Sequence, residues 1–386
     1  MGGRAGSTSH VWLRVKRPLI IGGGLAGPVA AIRLAQQGLT PLLLERQTGA
    51  HDKICGEFLS AEAVGMLADL GVDTARLGAL PIDRVRLAAG RWTVERRLPF
   101  TAHSVRRRTL DAVLLEQAER GGATVHRGVH VQRLVDGGVE TDQGRVTEGA
   151  VILATGKHPV SGEPRRQTPG VPLVDDLVGF KQYRRASPAM ARQLERTVLV
   201  VAYDGGYAGV QLVAPDVVNL CLVLAKPHVR ECGGQWDRIS ERLAREPALS
   251  PIFDGEPLME RPLTISGVPY GFLAESHPHD AVYRLGDQAA VIPSFCGDGM
   301  AIAIHSGCLL GDALPRGASP AAFHAQLRHA TVPPVRTAMR VQRLVRSRPG
   351  RLALLAGFGA IPGAVALLAR ATRVAPPPRR GEAASQ

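Results

Sequence analysis

The sequence is poor in aromatic residues. Phe, Trp and Tyr make up 4% of 386 residues, and no basic stripe is interleaved with them. Proteins that hold single-stranded nucleic acid stack bases on rings set beside cations. The net charge of +13 therefore does not point to nucleic acid. It suits an enzyme with a basic surface, drawn to anionic lipid or an acidic partner. Cysteine is also scarce. Cys55, Cys221, Cys232, Cys296 and Cys308 form an odd set whose spacing fits neither a zinc site nor a disulfide framework. The expectation is a reducing, cytoplasmic setting. Residues 1–16 have no apolar core of the secretory kind and read as a flexible leader. There is no Ser/His/Asp triad, no metal cluster and no internal repeat, and nothing in the pattern sets an oligomeric state.

Long apolar runs are lacking too. Residues 352–369 carry no charge, but Gly357, Gly359, Pro362 and Gly363 interrupt them. Such a stretch predicts two short helices packed on the protein or lying on a membrane surface, not a span. Residues 375–386 are rich in Pro and Arg and read as a disordered tail.

What the chain does have is glycine at telling positions. Leu19-Ile20-Ile21 reads as a buried parallel strand. Gly22, Gly24 and Gly27 follow it with the spacing G-x-G-x-x-G, then an alanine-rich helical run, then Leu42-Leu43-Leu44-Glu45. In such a unit the first glycine makes the tight turn, the second lets a pyrophosphate approach, and the third lets helix and strand pack. The helix N-terminus offers N–H groups to phosphate. Glu45 stands where an acid accepts ribose hydroxyls, which selects FAD or NAD over NADP. Arg46 follows it at the same edge.

Further along, Ser60 predicts an N-cap for a helix reaching Leu70. Residues 85–97 predict two antiparallel strands, and residues 107–120 an amphipathic helix. Residues 125–135 and 138–141 read as a hairpin, and residues 151–156 as a buried strand ending in a turn. Residues 157–168 look like a crossover. Residues 179–226 carry strand patterns separated by Gly205 to Gly209, the expected sheet of a second domain. Residues 235–243 and 299–310 read as helices.

A second motif follows a buried strand at residues 283–287. Asp287, after Gly286, can accept a ribityl hydroxyl. Pro293 stiffens the next turn. Gly297 and Gly299, followed by Met300, bring the N–H groups of a new helix to the pyrimidine edge of a flavin, whose reduced form is anionic there. With these residues the chain resembles the FAD-dependent oxidoreductase family of para-hydroxybenzoate hydroxylase-type monooxygenases and geranylgeranyl reductases, over residues 18–307. The resemblance implies that Arg107, before Leu110-Asp111, contacts FAD. Cys55-Gly56 and Ser306-Gly307 look like the reductase branch. Thr155-Gly156-Lys157-His158 stands where the hydroxylases carry an Asp-Gly pair linked to FAD and NAD(P)H. The Trp-x-Trp-x-Ile-Pro signature of flavin-dependent halogenases is absent.

The implied fold is α/β. A Rossmann-like FAD-binding domain (residues 17–84, 101–158 and 281–316) carries an inserted antiparallel β-sheet substrate domain (residues 85–100 and 159–280). C-terminal helices follow at 317–374. The implied cofactor is FAD, with NAD(P)H as a transient electron donor. The first functional expectation is a monooxygenase or oxidase acting on a hydrophobic aromatic or polyketide-like molecule. The second is reduction of isoprenoid double bonds. The third is a flavin- or lipid-binding protein without turnover, in peripheral contact with a membrane through its tail. Cys55 and Cys296 are candidate flavin-flanking catalytic residues, with a helix N-terminus favouring the Cys296 thiolate. Burial as small hydrophobes is the alternative. Tyr203, Tyr207 and Gln211 are candidate substrate contacts.

Overall fold

The computed structural model describes residues 17–277 and 280–375, so the expected leader and nearly all of the expected tail lie outside the described residues. A five-stranded parallel sheet runs in the order Val282–Arg284, Val151–Leu153, Leu19–Ile21, Leu42–Glu45 and Thr124–Arg127. Its central strands are apolar on both faces because both faces are covered. Leu19, Leu42 and Val151 pack under the three-stranded meander of residues 131–147. Ile20, Leu43 and Ile152 pack under the helices Ala26–Ala35, Arg107–Arg120 and Gly299–Ala313. The first and last of these helices touch closely at Gly307, where a Cβ would lie 2.7 Å from the Ala26 carbonyl oxygen. The expected hairpin at 125–135 is corrected here. Thr124–Arg127 joins the parallel sheet beside Leu42–Glu45, and the meander begins only at Val131.

The second sheet has eight strands, from Leu263–Ser266 at one edge to Phe58–Leu59 at the other. Its pairings are antiparallel except one: Thr197–Tyr203 runs parallel to Leu80–Ala89. The expected antiparallel sheet is therefore a mixed one. Its two parts arise from distant stretches of chain, so no tight turn dictates antiparallel pairing where they meet. The expected turn over Gly205 to Gly209 is also shorter, because Gly206 already opens a strand. A Cβ there would meet the Val223 carbonyl oxygen at 1.9 Å, so this glycine serves close strand contact as well as turning. Alternate residues divide the sheet's faces. Phe180, Val201, Val210 and Leu220 pack with residues of the helices Pro188–Leu194, Trp236–Leu243 and Ser250–Asp254, and the opposite residues face a cavity. The sheet curls strongly: Glu57, beside one edge strand, bonds Lys181 on the second strand from the other edge.

The C-terminal residues form the helices Pro320–Val345, Arg348–Ala360 and Ala364–Ala371. The last two meet at 116°, and among the described residues no single helix is long and apolar enough to cross a membrane.

Candidate functional site

A cavity of about 690 Å³ begins at the Gly22 turn and continues beneath the curled sheet. At its first end each glycine has its own constraint. Gly22 has φ +111°, and a Cβ there would stand 2.5 Å from the Ala154 carbonyl oxygen. At Gly27 a Cβ would meet the Gly22 carbonyl oxygen at 2.0 Å, which is the close packing of strand and helix. Gly24 is different: its missing Cβ faces open groove, with Lys53 Nζ at 3.6 Å and Arg107 Nη2 at 3.8 Å. The backbone is thus bare where two cations converge. Asp111 holds both of them, taking two bonds from Arg107 (2.8 and 3.0 Å) and one ion pair from Lys53 at 2.9 Å. Burial opposes the Asp111 charge, but Arg107 and Lys53 outweigh it and lower the pKa. No side chain caps the helix Ala26–Ala35, so its N-terminal N–H groups remain for a ligand. Glu45 is buried, accepts from Gly23 N at 2.5 Å and Gln47 N at 2.8 Å, and lines the groove beside Arg46.

The second motif meets the first across the groove. Gly286 takes φ +54°, and its N–H donates to Ser306 Oγ at 2.9 Å. Asp287 lines the cavity 3.8 Å from Lys157 Nζ. Burial works against the Lys157 charge, yet Asp287 outweighs it and raises the pKa. Pro293 precedes the turn, Gly297 is left-handed at φ +69°, and Gly299 opens the helix with nothing within 4 Å of its missing Cβ. Asp298 occupies the N-cap position but does not cap. Its carboxylate accepts from Arg373 Nη1 at 3.1 Å and Val374 N at 2.7 Å, binding the end of the C-terminal helices to this turn. The N–H groups of the helix are left for a ligand. Met300 lines the cavity. A bare turn between cations, an acid at the ribose position and a second uncapped helix are what a flavin dinucleotide needs, and the residues fit FAD.

Sequence reasoning missed the cluster in the adjoining wall. Glu57 is wholly buried at φ +59°. Its Oε1 accepts from Arg107 N, Tyr183 OH and Lys181 Nζ, each at 2.8 Å, while Oε2 has no partner. Gln211 donates to the Glu57 carbonyl oxygen at 3.0 Å and to Ser104 Oγ at 2.7 Å. Its amide is therefore a brace in the cavity wall. Tyr207 lines the cavity and its hydroxyl lies 2.8 Å from Ser294 Oγ. Tyr203 is corrected. Ala202 pairs with Tyr207, so Tyr203 points to the other face, where its hydroxyl donates to the Tyr207 and Val223 carbonyls. Cys55 and Cys296 both line the cavity. Cys55 Sγ accepts from Glu57 N at 3.3 Å. The expected Cys296 thiolate is also corrected: burial opposes the charged form and pushes this thiol well above its ordinary pKa. The signal for Glu57 lay beside Cys55-Gly56, but nothing local marks Lys181 as its partner.

Fold and groove together describe a protein of two main sheets whose groove has the residues to hold FAD. Residues 17–158 match the FAD binding domain family. Among particular proteins, the chain is similar to FixC of Escherichia coli K12, 28% identical over 268 residues, or 63% of this chain and 62% of FixC. The match thus spans less than two thirds of that relative. The chloroplastic geranylgeranyl diphosphate reductase of Arabidopsis thaliana is 33% identical over 133 residues, 33% of this chain and 27% of that one. The solved flavin-dependent brominase Bmp2 superposes with a TM-score of 0.76 over 92% of this chain and 93% of its own, at 16% identity, a likeness of fold.

Proposed function

We propose that the protein is an FAD-dependent monooxygenase or oxidase acting on a hydrophobic aromatic or polyketide-like molecule in the cytoplasm, with NAD(P)H as transient electron donor. The observation that carries this reading is the continuity of the cavity. The groove beside Gly24 and Asp287 runs without a wall into an apolar chamber bounded by Val198, Val200, Leu355 and Phe358. Bound there, FAD would accept a hydride and, once reduced, activate oxygen. Lys53 and Arg107 would hold its pyrophosphate, Glu45 its ribose, and Asp287 its ribityl chain. The helix opened by Gly299 would offer its uncapped N-terminus to the ring's negative edge. The sheet and the C-terminal helices keep water from the reacting face.

The purified protein is expected to release intact FAD on denaturation, and to consume oxygen with NAD(P)H only when a hydrophobic substrate is present. NAD as its sole dinucleotide would overturn the reading. Anaerobic reduction of an isoprenoid double bond without oxygen uptake would establish the second reading, reductase chemistry. That reading draws on the Cys55-Gly56 pair and the likeness to geranylgeranyl diphosphate reductase.

A further inference from the structure

The helices Arg348–Ala360 and Ala364–Ala371 are apolar on two sides. Leu355, Phe358 and Leu368 turn inward and close the chamber. Leu352, Ile361 and Leu367 turn outward, and Leu367 is 72% exposed. The pair rests on the strand Trp92–Ser104: Arg96 Nη2 donates to the Gly359 carbonyl oxygen at 2.6 Å, and a Cβ on Gly359 would touch Val94 at 3.6 Å. Trp92, at the start of that strand, is 55% exposed. The same helices bound the cavity and present apolar side chains to solvent. A soluble protein seldom leaves large apolar side chains together without a use.

Charge names the occupant. Residues 313–381 contain twelve arginines and no Asp or Glu. Arg351 and Arg373 are turned inward and Arg346 pairs with Asp176, but Arg343, Arg348 and Arg370 are exposed at the ends of the helices. Arg91 is exposed beside Trp92. Apolar side chains rimmed by arginine, with no acid in residues 313–381 and with Glu95 of the supporting strand already paired to Arg86, match the phosphate-bearing surface of an anionic bilayer. We propose that this helix pair docks the protein on anionic lipid, lying in the interface with Ile361 and Leu367 among the acyl chains. The inner faces of the same helices then form the roof between the lipid and the chamber, so an apolar substrate reaches the cavity without crossing water.

The test uses the full-length protein with FAD and vesicles of phosphatidylcholine, with and without phosphatidylglycerol. Co-sedimentation is expected with the anionic vesicles alone, and added salt should weaken it. The double variant Ile361→Glu, Leu367→Glu should bind about tenfold more weakly. Both side chains face solvent, so its melting temperature and FAD content should match wild type. Equal vesicle binding by wild type and variant would overturn the proposal. So would an absence of vesicle binding together with a dimer that the variant dissociates, which would make this face a contact between two copies. The assay needs no turnover, so its failure leaves the redox reading standing.

Discussion

At the scale of single residues, two glycines of one turn should respond oppositely to the same substitution. Gly27→Ala would place a methyl 2.0 Å from the Gly22 carbonyl oxygen. A backbone atom cannot yield as a side chain can, so overpacking is expected to cost about 1–3 kcal/mol, read as a lower urea midpoint. Gly24→Ala meets nothing closer than 3.6 Å. Its fold should be as stable as wild type while FAD titration shows about tenfold weaker binding, since the methyl would occupy the pyrophosphate's approach. These glycines were legible because spacing in a strand–turn–helix unit fixes their roles locally. Tyr203 was misplaced for an equally local reason. It lies on a different strand from Tyr207, and only the register, Ala202 opposite Tyr207, tells which side chains share a face. Glu57 and Lys181 stand far apart in sequence and meet only because the sheet curls.

At the scale of elements, buried charge joins two distant strands of the second, curled sheet. Lys181 is wholly buried against Glu57 and Tyr183. Lys181→Met would leave a buried carboxylate without its cation, expected to cost about 3–5 kcal/mol in denaturant unfolding. Adding Glu57→Gln should recover part of that loss. No recovery would mean that the lysine acts through packing alone. A second junction titrates. Burial pushes the Asp298 carboxyl from its ordinary 3.8 up to about 6, with Arg373 and the Val374 N–H only partly offsetting it. The folded state thus binds this proton more tightly than the unfolded chain. The stability it contributes is complete below pH 3.8 and is lost as pH rises through about 6. Asp298→Asn cannot titrate there, so its melting temperature relative to wild type should climb across that window. A constant difference would show that Arg373 keeps the carboxylate ionised throughout. Helix bounds such as Arg107–Arg120 were readable from periodicity. The parallel junction of the second sheet was not, because no turn encodes it.

At the scale of the whole molecule, one continuous cavity is lined by residues drawn from between Ile21 and Arg373, from both sheets and from the C-terminal helices. The parallel sheet takes its edge strand, Val282–Arg284, from beyond the entire second sheet. During synthesis the Gly22 turn leaves the ribosome long before Asp287 and Gly299 exist. The nascent polypeptide carries half a cradle through most of its translation, and the dinucleotide cannot template folding from the start. Loading with flavin is thus expected late, after residues 286–299 have been made. A cell short of flavin would therefore accumulate full-length apoprotein, not stalled fragments, and its proteases would meet that species first.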